Sequence, residues 1–307
     1  MFAALLTTLL FATSAICGYR TAKQIGGIEA NFWRITLATI FLTIWAFTFG
    51  TGFAGAPEWF MISGLFGIGL GDTAYFQALP RLGSRRTVLL MQCLTAPFAA
   101  LIEWLWLGTT LNLPEIFCVG VILVGVGVAL APEDHAKISA RDWKIGLFAG
   151  ALAALGQSLG AVIIRKGYAD IAAAGLHVDA GTTGYQRVLG GILIPTIALI
   201  LFKWRSARVH GGWLEKKTRQ VSLDKWARLW PWVLANALAG QTLGVTCMQW
   251  ALKTTQAGIV TAIIATTPLV LLPMTRIIEK EKIGIRPLIG AVIAVSGVIG
   301  LTFCRIK

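Results

Sequence analysis

Two acidic residues, Asp72 and Glu103, are read as standing inside long apolar stretches of the 307-residue chain. An ionisable group at membrane depth costs at least ~2.5–3.5 kcal/mol at the centre, so each is a functional candidate by default. Asp72 lies about 4 Å from the middle of its stretch at 1.5 Å rise per residue. With no cation near, desolvation favours the neutral acid, which makes Asp72 a candidate proton carrier in an antiport cycle. The alternative is a hydrogen-bonded Asp that braces helix packing. Glu103 is four residues from the end of its stretch and within reach of the interface. Running in opposite directions, the two stretches place Asp72 and Glu103 about 12 Å apart in depth, too far for a carboxylate dyad. Glu103 is on the side where Arg165 and Arg187 enter, so a structural ion pair among these three is expected.

Two prolines raise a different possibility. In Thr95-Ala96-Pro97 and Thr266-Thr267-Pro268 each proline sits at the centre of an apolar stretch. It removes a backbone donor and frees a carbonyl one turn earlier. Such groups are tolerated at mid-bilayer only beside protein or a watery cavity. Broken helices flanking a central site are therefore expected. Tyr75, Gln77, Gln92, Gln157, Gln241, Gln249 and Trp250 are side chains a lipid-facing helix would avoid, and a subset is expected to line that cavity. Arg34 and Arg187 stand at the heads of their stretches, where basic residues are ordinarily topological anchors. Binding a substrate carboxylate is the alternative for both.

Catalysis finds little support. His135, His177 and His210 are dispersed in connections, and there is no HExxH, phosphate-cradling loop or acidic metal motif. Gly156-Gln157-Ser158-Leu159-Gly160 is a formal G-x-S-x-G, but a nucleophile elbow needs a preceding strand and this lies within an apolar run. It and Gly64-x-x-Gly67-x-Gly69-x-Gly71 read instead as small-residue patterns for close helix packing. Cys17, Cys93, Cys118, Cys247 and Cys304 have no paired spacing, so neither a disulfide framework nor a zinc site is expected. No cofactor, no metal and no catalytic residue are assigned.

The elements that must position these residues follow from composition. The chain is 56% hydrophobic and 13% charged, with 34 Gly and 12 Trp, and its mean hydropathy is +0.73. This is the composition of an integral membrane protein, not of a soluble domain. Net charge +13 would otherwise suggest nucleic acid; basic residues in short loops between apolar spans follow a membrane rule instead. Ten stretches stand out, at about 2–20, 32–50, 59–80, 87–107, 114–131, 144–165, 185–202, 231–251, 257–278 and 285–304. Each approaches the ~20 residues that cross a ~30 Å hydrocarbon core as a helix. Phe2 to Tyr19 lacks a basic n-region and is read as the first helix, not a cleaved signal. The one long connection, 203–230, interleaves Trp with Lys and Arg and reads as an interfacial segment or a solvated basic loop.

The halves resemble each other. Pro97 and Pro268 recur, as do Gly120 and Gly290, Gly127 and Gly297, and Arg34 and Arg187. Five spans per half is odd, so the second copy must be inverted, an arrangement common in secondary transporters. The expected fold is therefore all-α and integral to the membrane, with ten transmembrane helices as two inverted five-helix repeats. The first repeat is 1–131, the connector 132–143 and the second repeat 144–307. At the positions equivalent to Asp72 and Glu103 stand Leu243 and Met274.

This pattern resembles the ten-helix drug/metabolite transporters of the EamA type, and Gly69-Leu70-Gly71-Asp72-Thr73-Ala74-Tyr75-Phe76-Gln77-Ala78-Leu79 is similar to that family's third helix. The resemblance implies a small organic metabolite as substrate, often an amino acid, with export the commonest direction. Many members carry an acidic residue at the start of the last connector; Glu279 and Glu281 match it in the second half, and Gly108-Thr109-Thr110 replaces it in the first. The expected function is secondary transport, with protons as a possible second cargo and the bilayer as surroundings. A flippase for a lipid or lipid-linked sugar and a passive facilitator stay open.

The expected location is the plasma (inner) membrane. With Arg276 at the end of the ninth span counted among them, all Lys and Arg but Arg165, Lys166, Arg187, Lys253, Arg305 and Lys307 fall in or at the edges of connections after odd-numbered spans. The positive-inside rule then puts both termini outside, whereas the resemblance implies both inside.

Overall fold

A computed structural model describes residues 2–107, 112–130, 138–210, 214–254, 260, 263–280 and 284–304, without the side chains of 107, 206–225 and 252–254. The described residues form helices and no strands. In order these are α1 (Phe2–Ile25), α2 (Gly27–Thr48), α3 (Pro57–Gly64), α4 (Thr73–Leu82), α5 (Ser84–Leu107), α6 (Leu113–Leu130) and α7 (Ala140–Ala173). They continue as α8 (Ala180–Gly191), α9 (Leu193–His210), α10 (Leu214–Ala237), α11 (Leu243–Thr254), α12 (Thr267–Ile278) and α13 (Ile285–Cys304). A π-helical segment, Leu65–Asp72, joins α3 to α4, and a second, Leu238–Thr242, joins α10 to α11.

Among the described residues seven stretches are long and apolar enough to cross a membrane: α1, α2, α5, α6, α7, α8 running into α9, and α13. The third and eighth expected spans are the two that the π segments interrupt. The ninth falls partly outside the described residues; what is described there is 260, 263–266 and α12. Large apolar side chains such as Leu5, Leu9, Ile44, Phe47, Leu105, Phe117 and Ile200 are exposed around the bundle. That surface suits lipid and not water.

Small residues set how closely the helices approach. A Cβ on Gly156 would lie 2.8 Å from Gly71 Cα, and one on Gly160 3.0 Å from Gly67 Cα. The two glycine patterns of the sequence thus pack on each other, α7 against the first π segment, as small-xxx-small motifs allow. Gly64 and Gly190 do the same where α3 crosses α8, against the carbonyls of Arg187 and Met61. The closing helices of the two halves meet reciprocally, Gly125 of α6 on Ala294 and Gly290 of α13 on Ala129. Gly120 and Gly127, two members of the glycine recurrence, have no atom within 4 Å of an added Cβ and play no part in that contact.

Several boundaries differ from those the hydropathy pattern predicts. The stretch 203–230 is not a loop: α9 continues to His210 and α10 begins at Leu214. Trp226 and Trp230 of α10 pack on Trp33 of α2, at 5.4 and 6.3 Å between ring centroids. Of that stretch, residues 211–213 lie outside the described set, and the side chains of Glu215, Lys216, Lys217 and Lys225 are not described. The helix α7 runs to Ala173, past the expected end at 165.

One end of the bundle gathers basic residues. Arg20 donates to Ile278 O at 2.9 Å and stacks over Trp232, 4.2 Å from its ring centroid. Ser84 donates to both carboxylate oxygens of Glu279, at 2.9 and 3.0 Å. Lys203 approaches Glu29, and Arg81 approaches Asp142. The starts of α2, α5, α7, α10 and α13 and the ends of α1, α4, α9 and α12 share this end.

Candidate functional site

Asp72 ends the first π segment and is 4% exposed. Its carboxylate gathers three donors. Arg34 Nη2 donates to Oδ2 at 2.6 Å, Gln241 Nε2 to the same oxygen at 2.6 Å, and Gln157 Nε2 to Oδ1 at 3.0 Å. The guanidinium of Arg34 also donates to Asn31 Oδ1 at 3.2 Å and lies over Phe76, 4.8 Å from its ring centroid. Asn31 donates in turn to Thr73 Oγ1 at 3.2 Å. Four elements converge here: α2, the two π segments and α7. An α-helix shifted into i→i+5 bonding widens locally and re-aims its side chains, and such bulges recur at functional sites. Both π segments end beside this carboxylate.

The proton-carrying role expected of Asp72 requires that no cation stand near it. That condition is not met, because Arg34 pairs with it. Hydropathy predicts Arg34 in the first turn of a span beginning at 32. The helix begins at Gly27, so Arg34 is its eighth residue, about 10 Å inside at 1.5 Å rise. Arg187 repeats this displacement as the eighth residue of α8. It is 6% exposed. Neither arginine is an anchor at a helix head.

A second polar layer lies toward the start of α8. Tyr168 donates to Gln249 Oε1 at 2.8 Å, and its hydroxyl is 3.2 Å from that of Thr183. A cavity of ≈ 310 Å³ opens nearby, lined by Trp45, Asp179, Gly181, Thr246, Cys247 and Trp250. Asp179 caps α8, accepting from the backbone N–H of Gly181 and Thr182 at 2.9 Å each. Burial pushes its carboxyl pKa up, but the hydrogen bonds from Thr182, Trp45 and Gly181 outweigh it and hold the group below its ordinary value.

The remaining expected site residues are placed elsewhere. Tyr75 packs in the apolar cluster with Phe76, Ala12 and Leu271. Gln77 accepts from Arg81 at the basic end. Gln92 is half-buried on α5. The helix α5 continues through Pro97, and Thr95 O accepts from Ser158 at 2.8 Å. The expected break occurs only in the second half, where Ala265 and Thr266 form a turn and Pro268 opens α12. Thr266 and Thr267 turn their hydroxyls back to Ile263 O and Ile264 O. Pro268 lines a narrow recess with Arg85, Arg86, Leu272 and Pro287, apart from the Asp72 cluster. The ends of this break, residues 261–262, lie outside the described set, as do Gly108, Thr109, Thr110, Glu281 and His135.

Glu103 pairs with Arg165, whose side chain is 71% exposed. Arg187 is not part of that pair. Glu115, the second residue of the fifth expected span, is a third buried acid among the described residues, beyond the two expected. It caps α6 reciprocally with Asn112, each backbone N–H donating to the other's side chain at 2.8 and 3.0 Å. Asn31, Thr73, Tyr168 and Thr183 also belong to the interior polar track and were missed. Tyr168 stood outside the expected span, and Asn31 one residue before one. No group of three or more His, Cys, Asp or Glu that could hold a metal occurs among the described residues.

Comparison with protein families matches the chain twice, at residues 1–131 and 144–303, to the EamA-like transporter family. The chain belongs to the EamA-like transporter family. The two matched segments fall either side of the connector, with Asp72 and Arg34 in the first and Gln157, Arg187 and Gln241 in the second. A solved structure described only as "Crystal structure of protein" is similar over 100% of this chain and 98% of its own, at 16% identity and a TM-score of 0.64. At that identity the likeness is one of fold. Comparison with curated proteins finds no match. This EamA-like chain is a multi-pass membrane transporter.

Proposed function

We propose that the protein is a secondary carrier of a small organic metabolite, with ten spans in two inverted halves that rock about a central site at Asp72. The observation that carries this reading is the sharing of one buried carboxylate between halves. Asp72 and Arg34 come from the first half, and both amides that complete the cluster, Gln157 and Gln241, from the second. Reciprocal contacts support the inverted arrangement: α6 and α13 exchange Gly–Ala contacts, α2 packs on α10, and α8 packs on α3. Discontinuous helices near the midplane at a repeat interface are where such carriers hold substrate. With Arg34 bound to it, Asp72 serves as the junction between halves and not as the proton carrier.

The basic end faces the cytoplasm under the positive-inside rule. Since α1 ends and α13 begins there, both termini lie outside. The cavity beside Trp250 is at the opposite end, and the Ser84–Glu279 and Arg20–Ile278 contacts close the cytoplasmic end.

The test is exchange from proteoliposomes loaded with a pooled metabolite extract, read by mass spectrometry. Protein-dependent depletion of particular compounds is expected from the wild type and not from Asp72→Asn. Depletion at wild-type rate from Asp72→Asn would remove the junction from the transport path. No depletion by folded protein from a polar pool would transfer the reading to lipid-linked substrates.

A further inference from the structure

Arg34 and Arg187 stand deep inside the bundle, and of these two Arg34 alone is paired with an acid. Arg34 and Arg187 occupy matching places, each the eighth residue of its helix and each buried, at 4% and 6% exposure. Each also faces a π segment of the opposite half. Arg34 Nη1 lies 3.2 Å from where a Cβ on Gly240 would be, and Arg187 Nη2 lies 3.5 Å from the corresponding point on Gly67. Here the symmetry ends. Arg34 meets Asp72. The second half offers Leu243 and the neutral Gln241 where the first has its acid.

Arg187 makes no ion pair and no hydrogen bond to a described residue, and its buried Nε has no partner. The acid within electrostatic reach is Asp72, already shared by three donors. A buried cation without a counter-charge is unfavourable, so the arrangement points to an anion supplied from outside the chain.

The surroundings fit such a guest. Thr183 is four residues before Arg187 and on the same face of α8, where its hydroxyl meets that of Tyr168. On the other side, Gln157 Oε1 is 3.7 Å from the Gly67 point that Arg187 Nη2 approaches. Gly67 carries no side chain to fill that space. The ≈ 310 Å³ cavity begins at Gly181, less than two turns of α8 from Arg187, and is of a size that holds one small molecule.

We propose that Arg187 is the recognition site for the carboxylate of the transported compound. The guest supplies to Arg187 the charge that Asp72 supplies to Arg34, and the planar guanidinium fork takes the two oxygens together. The inference rests on the transporter reading and narrows its substrate class. One cation matches one negative charge, so a monocarboxylate fits better than a phosphate dianion. Asp72 is engaged, and among the described residues no other acid stands beside Arg187 to receive an ammonium group. Carboxylates without an amine, such as hydroxy, oxo and aromatic acids, are therefore favoured over α-amino acids.

The test loads proteoliposomes of the full chain with lactate, 2-oxobutyrate and benzoate, the matching amides, and alanine and phenylalanine, all at equal concentration. Efflux is read by mass spectrometry at pH 7.5 against protein-free liposomes. At least one carboxylate is expected to leave tenfold or more faster than its amide and than the amino acids. Arg187→Gln is expected to erase that preference at unchanged melting temperature, and Arg187→Lys to retain part of it. Equal rates for acid and amide, faster amino acids, or full preference in Arg187→Gln would each overturn the proposal. So would a melting temperature lowered in Arg187→Gln as far as in Arg34→Gln, which would make Arg187 structural. If the panel stays inside while the pooled extract is depleted, only this inference falls. If neither moves with folded protein, the carrier reading falls as well.

Discussion

Replacing Asp72 by Asn keeps the shape of the side chain and removes its charge, so its consequences can be worked from the contacts. Arg34 loses its counter-ion while both remain buried. Breaking a buried pair in this way costs about 3–5 kcal/mol, because a charge is left uncompensated. The two amides add less. Interhelical hydrogen bonds within membranes average about 0.6 kcal/mol, and an Asn has one carbonyl oxygen where the carboxylate offered two. A total near 4–6 kcal/mol is expected for Asp72→Asn, against ~5–15 kcal/mol for the whole of a typical fold. Adding Arg34→Gln removes the stranded charge, so the double variant should cost no more than Asp72→Asn alone. The coupling energy from the four-way cycle is then at least the cost of Arg34→Gln alone, about 3–5 kcal/mol for breaking the same buried pair, at or above the upper end for residues in contact. Reversible unfolding in mixed SDS micelles, followed by tryptophan fluorescence, measures it. Additive single variants, with coupling below about 0.5 kcal/mol, would refute the idea that Arg34 and Asp72 form one desolvated unit.

Three further outcomes are expected. Gly156→Ala brings a methyl within 2.8 Å of Gly71 Cα; forcing backbones apart costs about 1–3 kcal/mol, measurable in the same unfolding assay. Asp179→Ala removes the cap of α8 and should cost about 0.5–2 kcal/mol. Its lowered pKa fixes the sign of the pH dependence: the stabilisation is complete above the unfolded value near ~3.9 and disappears as pH falls through the folded value. The wild-type advantage over Asp179→Asn should accordingly be flat above about pH 5 and shrink in acid. For orientation, a reporter at the C-terminus is expected to be active as alkaline phosphatase and dark as green fluorescent protein; the reverse would place the basic end outside.

The fold was most legible where helices face lipid. The apolar stretches 285–304 and 114–131 fall within a residue of α13 and α6, because an unbroken apolar run is what lipid demands of a helix. Prediction failed where a helix is covered by other helices. Residues 27–31, Gly-Ile-Glu-Ala-Asn, look polar enough to precede a span, yet Gly27, Ala30 and Asn31 are buried within α2. That shortfall of five residues turned a deep arginine into an apparent anchor. The same effect at 180–184, Ala-Gly-Thr-Thr-Gly, concealed the depth of Arg187. Of the site, Asp72, Gln157 and Gln241 were named from residue type alone, since amides and acids in apolar runs need partners. Which partners they take depends on how the halves face each other, and no spacing within one half encodes that. The π segments have no local signal either: the first lies where Gly67 and Gly71 cross α7, a tertiary contact that local propensity does not encode.

The most direct test of the central claim uses a chain in which Cys17, Cys93, Cys118, Cys247 and Cys304 are replaced by Ser or Ala and Thr73 by Cys. Thr73 adjoins Asp72, bonds to Asn31 and is half-buried. A membrane-impermeant thiol reagent is applied to right-side-out and inside-out vesicles. A site reached alternately from both faces predicts labelling in both preparations, slowed in both by transported substrate. Labelling from one face only, or from neither, would contradict the account.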